Sequence, residues 1–136
     1  MSLQRVEPVS VRPQREDVAA FCAALGLDEL SDSNLPWTYP AVWLAHPIVR
    51  EALLCSLRDG EVPVHEGQEF SYAGQGLEID TSYIMHGSIR RENSGDKARI
   101  VVELQFDRES ITVVRLTCRL IAVSGAWKRE HAGSRP

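Results

Sequence analysis

Leu35-Pro36-Trp37-Thr38-Tyr39-Pro40-Ala41-Val42-Trp43-Leu44-Ala45-His46-Pro47-Ile48-Val49-Arg50-Glu51-Ala52-Leu53-Leu54 is the stretch on which the reading of this chain turns. A turn rich in proline and aromatics runs straight into a helical pattern that starts near Tyr39 or Pro40. The pattern is apolar almost all round and runs on to Leu57, ending at Arg58-Asp59-Gly60. A helix without a polar face is expected to be buried on most sides. Pro47 lacks an N–H and clashes with the preceding turn, so it should kink the helix or divide it in two.

Upstream, Val18, Phe21, Cys22 and Leu25 recur at helical spacing after Pro13, and Gly26 suits a left-handed cap. This predicts a short amphipathic helix, preceded by a weak edge strand over Arg5 to Val11. Asp28 to Asn34 reads as a polar loop. Downstream the period changes to two. Strands are expected over Val64 to Tyr72, Leu77 to Glu92, Lys97 to Phe106 and Ile111 to Val123. Ala98, Ile100, Val102, Leu104 and Phe106 share one face, as do Thr112, Val114, Leu116, Cys118, Leu120 and Ala122. Gly87 marks a bulge or bend. Asn93-Ser94-Gly95-Asp96 and Asp107-Arg108-Glu109-Ser110 read as hairpin turns. Helices followed by a meander of strands give an α+β fold, an antiparallel sheet wrapped around a central apolar helix. This is the hot dog arrangement. Residues 1–127 form the single domain, and 128–136 a frayed tail. A sheet with an unpaired edge favours pairing between chains, so a homodimer, or a heterodimer with a similar chain, is expected.

Composition narrows the partners. The 136 residues are 43% hydrophobic and 25% charged, with a net charge of −4. No general basic surface is available for nucleic acid or anionic lipid. The apolar segment is too short and too charged to span a bilayer. Cys22, Cys55 and Cys118 lack a CxxC pair or disulfide spacing and read as buried free thiols. Without an N-terminal apolar leader, the default location is the cytoplasm. No histidine spacing suggests a metal site, and no glycine-rich loop suggests a nucleotide cofactor, so none of either is expected.

Asp17-Val18-Ala19-Ala20-Phe21-Cys22-Ala23-Ala24-Leu25-Gly26, Leu35 to Pro40, and Val64-His65-Glu66-Gly67-Gln68-Glu69-Phe70 together resemble the MaoC-like dehydratase family, over about Arg15 to Val123. The similarity is to the N-terminal-type hot dog domains of (R)-specific enoyl-CoA hydratases and 3-hydroxyacyl-thioester dehydratases. It implies an acyl-CoA or acyl-carrier-protein thioester as the ligand. It also implies an Asp, an Asn-Pro pair and a His shortly after the first helix, which together activate one water. Here that stretch is Gly26-Leu27-Asp28-Glu29-Leu30-Ser31-Asp32-Ser33-Asn34, with acids but neither His nor Asn-Pro.

Asp28 lies near the position that the resemblance implies but out of phase with it, and an isolated Asp is a weak base at neutral pH. His65, in the strand phrase, and His46, on the helix, are the candidate acid–base partners; each also reads as a structural histidine. Trp37, Tyr39, Pro40, Ala41 and Trp43 are the candidate substrate-binding residues. Trp37 and Trp43 would line an acyl tunnel, or pack as ordinary core aromatics. Tyr39-Pro40-Ala41 would offer free helix N–H groups to a thioester carbonyl, unless Thr38 or water caps them. Two functional classes remain: a hydro-lyase, or a catalytically silent subunit that shapes the acyl pocket of a partner dehydratase. A thioesterase using Glu66 or Asp28 as base is a further alternative.

Overall fold

A computed structural model describes residues 2–26, 35–95 and 97–124. Strand β1 (Ser2–Val11) leads to α1 (Arg15–Ala24). A 3₁₀ segment, Tyr39–Ala45, abuts α2 (Pro47–Ser56). Then come β2 (Glu61–Tyr72), β3 (Tyr83–Ser94), β4 (Lys97–Arg108) and β5 (Ile111–Ser124). All strand pairs are antiparallel, and the order across the sheet is β1-β3-β4-β5-β2. The expected α+β architecture is present. The tail over 128–136 and the loop carrying Asp28 lie outside the described residues.

Pro47 divides the apolar segment. His46 takes an extended ψ of 137°, and Pro47 then opens α2, where its missing N–H costs nothing. His46 caps the helix: its Nδ1 accepts from the Ile48 N–H at 3.2 Å, and its carbonyl accepts from Val49 and Arg50. α2 is more one-sided than its composition suggests. Val49, Ala52 and Ser56 are buried, whereas Arg50, Glu51, Leu54 and Cys55 face outward. Cys55 is therefore exposed, while Cys22 and Cys118 are buried. The expectation of three buried thiols fails because residues 50, 51, 54 and 55 form one stripe opposite the sheet.

The core sits between α2 and one face of the sheet. Ile100, Val102, Leu104 and Phe106 of β4 and Val114, Leu116, Cys118 and Leu120 of β5 fill it. They meet Val6, Val11, Met85, Ile89, Val49 and Ala52. A smaller cluster of Val18, Cys22 and Tyr39 joins α1 to the 3₁₀ segment. The opposite, more polar sheet face carries Val64, Ile84 and Val101 but is laced with ion pairs: Arg90 with Glu92 and Glu103, Arg99 with Glu66, and Arg119 with Glu69. Half-exposed pairs of this kind add little stability. They mark the face that meets water.

β3 begins at Tyr83 rather than Leu77. Asp80 holds a positive φ of 62°, its N–H donates to the Pro13 carbonyl, and the Glu78 N–H donates to the Tyr83 hydroxyl, so the chain turns at Ile79 and Asp80 before β3 begins. The irregularity expected at Gly87 lies across from it: β1 breaks register between Val6 and Val9, opposite Gly87 and Met85. β4 and β5 join through Glu109 and Ser110, both at positive φ, as a tight hairpin needs.

Candidate functional site

The aromatic residues converge where the Leu35–Ala45 segment crosses the sheet. Phe21 of α1 meets Tyr39 edge-on at 5.2 Å between ring centroids, Tyr39 meets Trp43 at 5.4 Å, and Trp43 meets Phe106 of β4 at 5.2 Å. Trp37 stands edge-on to Tyr72 of β2 at 4.3 Å, and the Tyr72 hydroxyl donates to the Trp37 carbonyl. Burial pushes the Tyr72 phenol up to about 12, so it stays protonated and keeps donating. A Cβ at Gly76 would touch the Tyr72 ring at 3.0 Å, so the chain closes directly over this pair.

These contacts sort the candidate substrate-binding residues. Tyr39 and Pro40 are buried, and Ala41 and Trp43 are half-buried. Burial, with Asp17 nearby, pushes the Tyr39 phenol up, so it is no acid near neutrality. Trp37 is 59% exposed and borders an open pocket of about 330 Å³ with Leu35, Gly74 and Gln75. Trp37 is thus an apolar surface open to a ligand, and Tyr72 packs against it edge-on.

The helix starts offer fewer donors than expected. The Tyr39 N–H donates to the Pro36 carbonyl at 2.9 Å, Ala41 donates to Thr38 at 3.1 Å, and Pro40 has no N–H. At α2 the Ile48, Val49 and Arg50 N–H groups are all engaged by His46. Backbone carbonyls and one imidazole, rather than the Thr38 side chain, close these ends.

The histidines lie apart in role. His46 spends its Nδ1 on the cap. His65 sits in register with the core residue Leu120, so it shares the helix-side face, but β2 is an edge strand and the imidazole is exposed. It forms no hydrogen bond or ion pair with the described residues. Glu66 is the extra residue of a bulge between His65 and Gly67, and both its oxygens bind Arg99 on the polar face. The one His–carboxylate pair among the described residues is His86 Nε2 with Asp107 Oδ2 at 2.7 Å. Burial raises the Asp107 pKa, but hydrogen bonds from Thr112 and His86 outweigh it and hold the carboxyl below its ordinary value. His86 is in register with Gln105, on the face away from α2, so this pair cannot serve the aromatic pocket.

Tyr72, Phe21 and Phe106 were not anticipated at the site. Tyr72 ends a strand whose alternation puts it on the helix side with Phe70 and Gln68, and that phase was the available signal.

No family model matches the chain, and no curated protein matches it in sequence. Solved structures do. The (3R)-hydroxyacyl-ACP dehydratase complex HadBC of Mycobacterium tuberculosis contains a similar chain (TM-score 0.67, 15% identity), with 88% of this chain and 94% of that one covered. A hot-dog-like protein of Thermanaerovibrio acidaminovorans superposes with a TM-score of 0.61 at 12% identity, covering 98% and 90%. A thioesterase superfamily member of Thermus thermophilus gives 0.57 at 14%, covering 95% and 86%. The fold is the hot dog fold. No helix among the described residues is long and apolar enough to cross a membrane.

Proposed function

We propose that this chain is a MaoC-like hot dog subunit of acyl-thioester metabolism, one that shapes an acyl pocket while a partner hot dog chain supplies the acid–base pair. The observation that carries this is an open aromatic pocket at Trp37 with no His–carboxylate pair beside it among the described residues. Hydration of an enoyl thioester needs an acid and a base on one face of the substrate, and donors for the developing enolate. His65 has no carboxylate partner among the described residues, His46 is a cap, and the helix N–H groups are taken. Leu27 to Asn34, where the family resemblance locates the catalytic pair, contains no histidine. The likeness to a chain of a dehydratase complex supports the same reading. Glu66, bound on both oxygens by Arg99, is a poor base for thioester hydrolysis. The free β2 edge, with Val64 and His65 exposed, is the place for a second hot dog chain. The ligand is an acyl-CoA or acyl-carrier-protein thioester, and three free thiols suit a cytoplasmic setting.

The test is hydration of a short enoyl-CoA, followed by loss of its conjugated absorbance. The purified chain alone is expected to give no turnover above buffer, and a co-expressed dehydratase chain with an intact Asp and His should restore it. Robust turnover by this chain alone would reject the silent-subunit role. His65→Ala separates the cases further. For an exposed residue without partners among the described residues the melting temperature should stay constant. A rate loss of about a hundredfold, the scale of a lost general acid or base, would make His65 catalytic.

A further inference from the structure

At the far end of α2 a second pocket, of about 520 Å³, opens between the helix terminus, the β3–β4 hairpin and the last residues of β5. None of the candidate acyl-site residues lines it. Arg58 reaches it from the α2–β2 connection and Lys97 from the hairpin, both exposed, and Arg91 forms part of its buried wall. Among the described lining residues three cations stand against one carboxylate, Glu61, on a chain whose net charge is −4. That carboxylate is already neutralised. Arg91 binds both its oxygens, at 2.7 and 2.9 Å, and the Arg58 N–H binds Oε1 at 2.7 Å. Arg91 is 5% exposed, and its buried Nε has no hydrogen-bond partner among the described residues.

We propose that this pocket binds the phosphate group of an organic phosphate. Arg58 and Lys97 approach from different elements, and neither forms an ion pair with a described acid, although the Arg58 charge also acts on Glu61. A phosphate ester carries close to two negative charges and three acceptor oxygens, enough to meet both cations at once, whereas a single carboxylate is not. Ala98 and Ala122 line the same pocket and leave apolar room for the organic part, within a volume ordinary for small-molecule sites. Two sources share this chemistry, the phosphate end of a thioester carrier and a free nucleoside diphosphate.

The full chain is titrated calorimetrically at low salt with inorganic pyrophosphate, then with ADP and with coenzyme A, and with acetate as control. Pyrophosphate should bind at one site and acetate should not. ADP and coenzyme A should bind more tightly than pyrophosphate, and whichever is tighter names the source. Each of Arg58→Ala and Lys97→Ala should weaken binding about tenfold, the scale of one charge-assisted hydrogen bond. Both residues are exposed, so the melting temperature should hold, and Trp37→Ala should leave this binding unchanged. Absence of binding, equal binding by the double variant Arg58→Ala/Lys97→Ala, or binding of pyrophosphate but of neither organic phosphate would overturn the assignment. The two pockets share no residue, so failure here leaves the acyl pocket standing, and the converse holds.

Discussion

Gly87→Ala is expected to destabilise the fold by about 3 kcal/mol or more, the upper range for overpacking. A Cβ built at Gly87 would lie 1.9 Å from the Glu103 carbonyl oxygen and 3.0 Å from the Leu104 Cα. Both are backbone atoms of the paired strand β4, in register with Gly87 and its neighbour Ser88, so no rotamer change relieves the contact. The strands would have to separate at the centre of the sheet, opposite the break in β1. Gly67→Ala is the control, because a Cβ there meets nothing within 4 Å. Urea unfolding of the two variants tests this. A Gly87→Ala midpoint matching that of Gly67→Ala would show that the close approach of β4 to Gly87 is not required.

Arg91→Met should cost about 3–5 kcal/mol, as breaking a buried ion pair does. Arg91 is the one buried charged residue among the described side chains, and it holds Glu61 by two hydrogen bonds and the Ser56 carbonyl by a third at 3.0 Å. It thereby ties the end of α2 and the start of β2 to β3. Removing it leaves a carboxylate that is only 13% exposed without its partner. The same pair has an acid signature. Hydrogen bonding to Arg91 is the largest cause holding the Glu61 carboxyl at about 2, against an ordinary 4.5. A carboxyl depressed in the folded state stabilises above its unfolded value. That contribution, about 3 kcal/mol, is therefore full above pH 4.5 and is lost as the pH falls toward 2. Wild type should lose stability through that window, and Arg91→Met should lose correspondingly less. Parallel pH profiles for the two proteins would contradict this role for the pair.

The elements that the sequence announces are those whose pattern is local. β4 and β5 follow a period of two, and their inward residues are buried in the core, with Val101 the buried exception on the other face of β4. Pro47 marks the division of the apolar helix because its chemistry acts on its own turn. Local pattern misleads at Leu77, where apolar alternation suggests strand but Asp80 turns the chain and binds Pro13, far away in sequence. The outward stripe of α2 is likewise set by which side the sheet covers. At the site, Trp37 and Trp43 draw attention by composition, while their partners Tyr72 and Phe106 come from strands 35 and 63 residues later, and only the register brings them in. Arg91 carried a readable signal. It continues the inward series Met85, Gly87 and Ile89, and a charge at such a position demands a buried partner.

The most direct test of an acyl-pocket subunit is calorimetric titration of the purified chain, alone and with its partner hot dog chain, using a non-hydrolysable acyl thioether of coenzyme A. The expected result is saturable binding that strengthens with acyl length and weakens about tenfold or more in Trp37→Ala, as truncation of an exposed aromatic anchor does. Trp37→Ala should keep its melting temperature within a few degrees, since the indole is 59% exposed. Binding that is indifferent to acyl length and to Trp37, or no binding in either state, would contradict it.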